Sequence, residues 1–264
     1  MSDIIKVSIS NGVADVRLNR PENYNSLIPE MFPALVETGK SLASNRSVRA
    51  VVLSGEGKGF CAGLDFGTIS TMDSTGADDF KNSITETPNI FQLAPYIWKQ
   101  IPVPVIAALH GVAYGGGCQI ALGADIRIAA PDLKMSVMEI KWGLIPDMGA
   151  TQTLRDLVRL DIAKEITFSG RIIKAEEAER IGLVTRIADN PLEEALKMAE
   201  EIAGKNPEAI QYAKKLYEET WHGDENIGLK MEEDLQIKLV GSPNQTEAIM
   251  ANFEKRPPKF KDPE

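Results

Sequence analysis

Cysteine and histidine are scarce in this chain of 264 residues, which contains two of each. Two cysteines are too few for a disulfide framework, and they favour a reducing compartment. The histidines, His110 and His222, lie far apart in the sequence, and neither the HExxH nor the CxxC spacing of a metal site occurs. We therefore expect no metal centre, and any catalysis must rely on carboxylates and backbone groups.

Long apolar runs and an excess of positive charge are also missing. The longest apolar run, residues 103–109, contains Pro104 and is far shorter than the roughly 18 residues that span a bilayer. The first residues lack the basic and apolar segments of a secretory signal, so we expect a cytoplasmic protein with no membrane partner. The formal charge of −9 argues against a nucleic-acid surface. An anionic small ligand remains compatible with it, because a few cations and backbone N–H groups can bind one.

Short apolar runs alternate with stretches of helical periodicity, which predicts an α/β fold. Residues 5–18 alternate in polarity on either side of Asn11-Gly12, a dipeptide typical of β-hairpin turns. Buried strands are predicted at residues 50–53, 103–109 and 126–129, and an amphipathic helix at residues 29–43. After Pro191 the apolar spacing is helical. We therefore divide the chain into an α/β core, residues 1–197, and a helical C-terminal region, residues 198–264.

Two glycine-containing turns follow predicted buried strands. Residues 59–65 read GFCAGLD, and residues 111–119 read GVAYGGGCQ before a predicted short helix. Glycines allow backbone N–H groups to approach a ligand closely, and two such donors on one oxygen form an oxyanion hole. Taken singly, each turn is more often an ordinary connection, and neither matches a Rossmann fingerprint or a P-loop. The pair is a candidate anion-stabilising site.

Two carboxylates stand in the apolar segment MEIKWGLIPDMG, residues 138–149. Glu139 has apolar neighbours, and Asp147 follows Pro146 just before a predicted helix. An apolar environment raises a carboxyl pKa toward the range that suits proton transfer. The alternatives are that Glu139 is a surface residue and that Asp147 caps the following helix.

Together these features resemble the crotonase (enoyl-CoA hydratase/isomerase) superfamily. The matching motifs occur in the family's order over most of residues 5–190, with a further match near the C-terminus. They are LNRPE at 18–22, NSL at 25–27, GFCAGLD at 59–65, PVIAALHG at 104–111, GGGC at 115–118, ADI at 124–126, GLIP at 143–146, GLV at 182–184 and FEKR at 253–256.

The resemblance implies a spiral of ββα turns followed by a C-terminal helical trimerisation region. It also implies a homotrimer, or a dimer of trimers, that takes an acyl-CoA thioester as substrate and needs no separate cofactor. The backbone N–H groups of Leu64 and Gly116 would form the oxyanion hole. The implied coenzyme A-binding residues are Asn25, Ser26, Leu27, Ala62, Gly63, Asp65, Phe66 and Lys255, the last from the same or a neighbouring subunit.

One departure from the family pattern bears on the reaction. Family hydratases carry two glutamates, and here Glu139 matches the second while Gln119, which cannot exchange a proton, occupies the place of the first. Asp147 matches an aspartate of dienoyl-CoA isomerases, although those enzymes usually also carry an aspartate where Gln119 stands. We therefore predict an enoyl-CoA isomerase, of the dienoyl or 3-enoyl type, with Glu139 and Asp147 as catalytic residues. The alternatives are a hydratase that uses Glu139 alone and a non-catalytic acyl-CoA-binding protein.

Overall fold

A β-hairpin begins the computed structural model, which describes residues 4–65, Gly67 and 87–263. Strands β1 (Ile5–Ser10) and β2 (Val13–Leu18) pair antiparallel around Asn11 and Gly12. Both turn residues have positive φ, 51° and 80°, as a two-residue hairpin turn of matching twist requires. The hairpin predicted from Asn-Gly is therefore confirmed.

A six-stranded sheet forms the centre of the molecule, in the order β1-β2-β3-β4-β6-β9. After the hairpin, every pairing in it is parallel. Its remaining strands are β3 (Ala50–Gly55), β4 (Val105–Leu109), β6 (Ile126–Ala129) and β9 (Arg186–Ile187). All five residues of β4 are buried, which is typical of a parallel strand covered on both faces.

Helices cover both faces of this sheet, and the sheet separates the core into two layers. On one face, α1 (Met31–Ser44), α2 (Ile90–Gln100) and α3 (Gly116–Leu122) pack over side chains such as Leu53. On the other face, α7 (Pro191–Ala203) packs a row of alanines against side chains such as Val52. The predicted division between residues 197 and 198 falls inside α7. The last strand, β9, ends at Ile187, so the change from sheet to helices occurs between that residue and Pro191.

A smaller sheet consists of β5 (Val112–Tyr114), β7 (Lys134–Ser136) and β8 (Ile173–Lys174). The remaining core helices are α4 (Ala150–Leu157), α5 (Leu160–Ser169) and α6 (Ala175–Ile181). Two isolated parallel bridges lie outside the regular pairings: one links Leu27 to Leu64, and the other links Cys61 to Ala113 of β5. The second bridge joins the two glycine-containing turns, and the first joins Leu27 to the earlier of them.

Three helices form the C-terminal region: α8 (Pro207–Thr220), α9 (Glu225–Leu239) and α10 (Pro243–Glu254). Asn206, Asp224 and Ser242 cap their N-termini by accepting hydrogen bonds from backbone N–H groups. Within the described part of the chain, no helix is both long and apolar enough to cross a bilayer. The helical C-terminal region expected from the sequence is present.

Candidate active site

The two glycine-containing turns lie against each other. Cys61 donates its N–H to Val112 O at 3.0 Å, and Tyr114 donates its N–H to Cys61 O at the same distance. Gly63 has a φ of +87°, and a Cβ built there would lie 2.6 Å from Tyr114 O. Any larger residue would therefore clash with the backbone of the second turn as well as adopt a strained conformation. The glycine permits the close approach of the two turns.

This approach places the N–H groups of Leu64 and Gly116 on neighbouring backbones. A Cβ at Gly63 would lie 3.6 Å from Gly116 N, which shows how near the first turn comes to the start of α3. The bridge between Leu27 and Leu64 uses the N–H of Asp65 and the carbonyl of Gly63, and leaves the Leu64 N–H unused. Gly116 begins α3, so its N–H has no partner inside the helix. Within the described residues, neither N–H donates to a backbone acceptor outside a helix or strand.

A carboxylate lies beside these donors. Glu139 begins a 3₁₀ helix (Glu139–Trp142), and its Oε1 would lie 3.5 Å from a Cβ built on Gly115, the residue before Gly116. Its Oε1 also accepts a hydrogen bond from Gln119 Nε2 at 2.6 Å. Glu139 Oε2 is buried and has no hydrogen-bond partner in the described part of the chain.

Gln119 lies in α3 with only 1% of its surface exposed. Its Oε1 accepts hydrogen bonds from Met148 N at 2.8 Å and from Ala150 N at 3.3 Å. One amide therefore joins the helix, Glu139 and the segment that precedes α4. The sequence identified Gln119 as a substituted position, but its contacts with residues 148 and 150 were not predicted.

Both carboxylates have environments that disfavour their charged forms. Burial raises the pKa of Glu139, and the nearby charge of Asp147 adds to this effect, while its own backbone N–H and Gln119 oppose it. Asp147 is exposed as a residue, but partial desolvation of its carboxyl group raises its pKa as well. Asp147 does not cap α4, because the N-cap position is Gly149 and no described side chain caps the helix. The capping alternative for Asp147 is therefore wrong, and the surface alternative for Glu139 is weakened because this residue is half-buried. A raised carboxyl pKa suits proton transfer.

The predicted coenzyme A-binding loop is held by internal hydrogen bonds. Asn25 is buried with a φ of 55°, and its Nδ2 donates to the carbonyls of Glu56, Gly59 and Phe60 at 2.9–3.1 Å. Its Oδ1 accepts the backbone N–H of Arg20 at 2.8 Å. The Asn25 side chain is therefore committed inside the protein and can affect a ligand only by shaping the loop.

The neighbouring positions form a small polar cluster, of which Ser26 and Asp65 were predicted from the sequence. Ser26 donates its hydroxyl to Asp65 Oδ2 at 2.7 Å, and Arg20 forms an ion pair with the same oxygen at 3.4 Å. These contacts lower the pKa of Asp65, the hydrogen bond from Ser26 being the largest cause. Arg20 was not among the predicted site residues, although it stands in the LNRPE motif.

The other predicted binding residues have different positions. Leu27 is fully buried, and Ala62 donates its N–H to Tyr24 O at 2.9 Å beside the oxyanion turn. Phe66 lies outside the described residues. Lys255 ends α10 in a left-handed conformation, with no hydrogen bond or ion pair to another predicted site residue in the described chain.

A separate cavity of about 540 Å³ lies between α8 and the core. Its lining includes Lys99, Asp156, Glu218 and His222 but neither of the two candidate carboxylates. Lys99 pairs with Asp156 at 2.9 Å and with Glu218 at 3.1 Å, and His222 also contacts Asp156. This cavity therefore has no part in the chemistry of the two carboxylates.

The sheet, the paired turns and the C-terminal helices define an α/β protein of the crotonase fold, as the sequence predicted. The structure of an enoyl-CoA hydratase from Bacillus anthracis matches with a TM-score of 0.89 at 31% identity, over 98% of this chain and 99% of that one. An enoyl-CoA hydratase from Polaromonas sp. JS666 matches with a TM-score of 0.88 at 29% identity, over 97% and 99% of the two chains.

Sequence similarity then identifies the family. The pattern of the enoyl-CoA hydratase/isomerase family matches residues 8–263. The mitochondrial methylglutaconyl-CoA hydratase of Mus musculus is 32% identical over 259 residues, which are 96% of this chain and 80% of the mouse protein. The chain therefore belongs to the enoyl-CoA hydratase/isomerase family, and it is an acyl-CoA enzyme of that family.

Proposed function

We propose that this enzyme moves a double bond along an enoyl- or dienoyl-CoA thioester, with Glu139 and Asp147 as the proton carriers. The observation that carries the proposal is the amide at position 119. Its oxygen accepts two backbone N–H groups, and its nitrogen donates to Glu139. Position 119 therefore supplies no second carboxylate that could hold and activate water together with Glu139, whereas a double-bond shift needs only removal and return of a proton.

The chemistry follows from the positions of the donors and the carboxylates. The N–H groups of Leu64 and Gly116 would bind the thioester oxygen, where negative charge develops when the C2–H bond breaks. Glu139 takes that proton, and the electron pair left at C2 is delocalised onto the thioester oxygen on one side and, through the adjacent double bond, onto a more distant carbon on the other. A proton then returns to a more distant carbon, from Asp147 or from Glu139, and the double bond moves. No atom is gained or lost overall.

The raised pKa of both carboxylates supports this assignment, because proton transfer is most efficient when the catalytic pKa approaches the working pH. Within the described residues, the Asp147 carboxyl accepts from its own backbone N–H and from no side chain, and the residue is exposed, so the carboxyl is accessible to a ligand. Neither group is neutralised by an ion pair with a described residue, unlike Asp65.

Hydration is the second candidate, and the names of the relatives favour it. The mouse and Bacillus anthracis proteins are both named hydratases. Water would then be activated by Glu139 alone and added across a 2-enoyl-CoA. In that case Gln119→Glu should raise water addition sharply, because it restores the second carboxylate. A non-catalytic acyl-CoA-binding protein is the third alternative, and it would bind thioesters without proton exchange at C2.

Incubation of the purified enzyme with a 3,5-dienoyl-CoA and with a 3-enoyl-CoA in heavy water tests the proposal. Absorbance reports the conjugated product, and mass reports deuterium uptake or the addition of water. We expect a conjugated product without added water, and a loss of about 10²–10⁴-fold in Glu139→Gln. Glu176→Gln, an exposed glutamate on α6, is the matched control. Full activity in Glu139→Gln, or water addition as the main reaction, would contradict the isomerase assignment.

Self-association and a cytoplasmic location remain proposals. Exposed apolar side chains on the C-terminal helices support the predicted trimer or dimer of trimers, since large exposed apolar patches typify interaction surfaces. Phe253 is 82% exposed, and Ile237 and Val240 are exposed as well.

A further inference from the structure

We infer that Gln119 is a positioning residue, which holds Glu139 through Oε1 and thereby leaves Oε2 as the oxygen that exchanges protons with the substrate. This inference rests on the proposed role of Glu139 as a proton carrier. It goes beyond that role because it assigns the atom, the orientation and the residue that sets both.

The first step is the orientation of the amide. Met148 N and Ala150 N are both donors and both approach the same Gln119 atom, at 2.8 and 3.3 Å, so this atom must be the amide oxygen. The amide nitrogen then faces Glu139 Oε1 at 2.6 Å. If the amide were flipped, its NH₂ group would face the two backbone N–H donors and its oxygen would face the carboxylate of Glu139, so neither contact could be a hydrogen bond. Gln119 is thus a fixed one-way donor to Glu139.

The second step concerns the two oxygens of Glu139. Oε1 is committed to Gln119, whereas Oε2 is buried and has no hydrogen-bond partner among the described residues. A buried carboxylate oxygen without a partner is unfavourable and rare in folded proteins, which calls for an explanation. Proton exchange with a bound ligand supplies one, because the atom that takes the proton must be free to receive it.

The third step links the two carboxylates. The N–H groups that orient Gln119 belong to residues 148 and 150, directly after Asp147 in the chain. The same amide therefore fixes the segment that carries Asp147. One side chain in α3 sets the direction of Glu139 and the position of Asp147 together.

Gln119→Met tests the donor, and Gln119→Glu serves as the second variant because its carboxyl can still accept from residues 148 and 150. Gln152→Met applies the first change to an exposed glutamine of α4 and is the control. The carboxyl of Glu139 is titrated in each protein by infrared difference spectroscopy against the same protein carrying Glu139→Gln. The pH profile of kcat/KM is then measured on whichever acyl-CoA the wild type converts, a 3-enoyl, 3,5-dienoyl or 2-enoyl thioester.

We expect Gln119→Met to move the Glu139 titration and the acidic limb of kcat/KM to higher pH. The reason is that a hydrogen bond to the carboxylate favours its charged form, so the proton is held more tightly once the donor is lost. At neutral pH, kcat should fall by about tenfold or more with a smaller change in KM. In Gln119→Glu the two carboxyls should share one proton and titrate as a coupled pair, again with the acidic limb at higher pH.

A Glu139 titration that is unchanged in both Gln119 variants, with kcat equal to that of Gln152→Met, would overturn the inference. Equal losses of activity in the Gln119 variants with no movement of either pH curve would also overturn it, because they indicate a purely structural role. If the wild type converts only 2-enoyl-CoA, the proposed isomerase activity fails while the titration still decides the role of Gln119. The infrared measurement needs no turnover, so the two failures are distinguishable.

Discussion

Replacing Lys214 with methionine tests how helix α8 is held on the core. The ammonium group donates to Trp98 O at 3.1 Å, to Val103 O at 3.1 Å and to Asp125 Oδ2 at 2.8 Å. These bonds use all three protons that a lysine side chain can donate. The Lys214 side chain is only 7% exposed, so water cannot readily replace it. This residue joins the C-terminal region to the end of α2 and the start of β4.

The size of the effect follows from what each acceptor loses in Lys214→Met. The two carbonyls each lose a hydrogen bond, which contributes about 1 kcal/mol apiece. Asp125 loses its ion pair, but it is 23% exposed and still accepts the N–H of Val105 at 2.7 Å. Its share is therefore well below the roughly 3–5 kcal/mol of a fully buried pair that loses one partner. We expect the free energy of unfolding to fall by about 3 kcal/mol in total.

Urea unfolding followed by circular dichroism measures this change, with all proteins at one concentration because self-association would add to apparent stability. Lys215→Met is the matched control, since the Lys215 side chain is 51% exposed and pairs with Glu219 one turn away. That variant should stay within about 0.5 kcal/mol of the wild type. A Lys214→Met protein as stable as the Lys215→Met protein would refute the reasoning.

Two further predictions concern the paired turns. Gly63→Ala should reduce kcat by about 10²-fold or more, because the new Cβ would lie 2.6 Å from Tyr114 O and displace the Leu64 N–H. Steady-state kinetics measure this loss of kcat. Gly143→Ala is the control, since Gly143 also has positive φ, +70°, but no described atom within 4 Å, and equal kinetic losses in both variants would contradict the argument. Burial raises the pKa of the Cys61 thiol to about 12, so native protein at pH 8 should resist iodoacetamide until urea unfolds it. Rapid labelling of Cys61 in the native protein, read by peptide mass, would show that the thiol is accessible.

The parts of the site that depend on glycine were predictable from the sequence. Glycines next to predicted buried strands indicate close backbone approach, and Gly63 and Gly117 fulfil that expectation. A Cβ on Gly117 would lie 2.4 Å from Cys61 O, so the second turn packs on the first at two points. The strand pattern was predictable for a different reason, because buried parallel strands are continuous apolar runs. The observed strand β4 begins at Val105, two residues after the predicted run, because Pro104 has no N–H for the sheet.

The side-chain network around Gln119 could not be predicted in the same way. Its partners Met148 and Ala150 are 29 and 31 residues away, and they contribute backbone N–H groups, which leave no trace in the identity of a residue. The contact of Lys214 with Asp125 spans 89 residues for a similar reason. A lysine on an amphipathic helix is ordinarily solvated, and only the packing of α8 against the core makes this one a buried donor.

The two carboxylates are not equivalent, and their difference bears on the order of proton transfer. Glu139 is half-buried and accepts from the Gln119 side chain, whereas Asp147 is exposed and its carboxyl accepts only from its own backbone N–H in the described chain. The Gln119 bond favours the ionised form of Glu139, which suits a base that must be ready before the substrate arrives. In the proposed reaction, the exposure of Asp147 would let it exchange protons with water between turnovers. In the proposed isomerisation, a proton would leave C2 to Glu139 and return from Asp147 to a more distant carbon of the acyl chain. Glu139 would then be protonated and Asp147 ionised, so Asp147 would recover a proton from solvent while Glu139 releases the one it took.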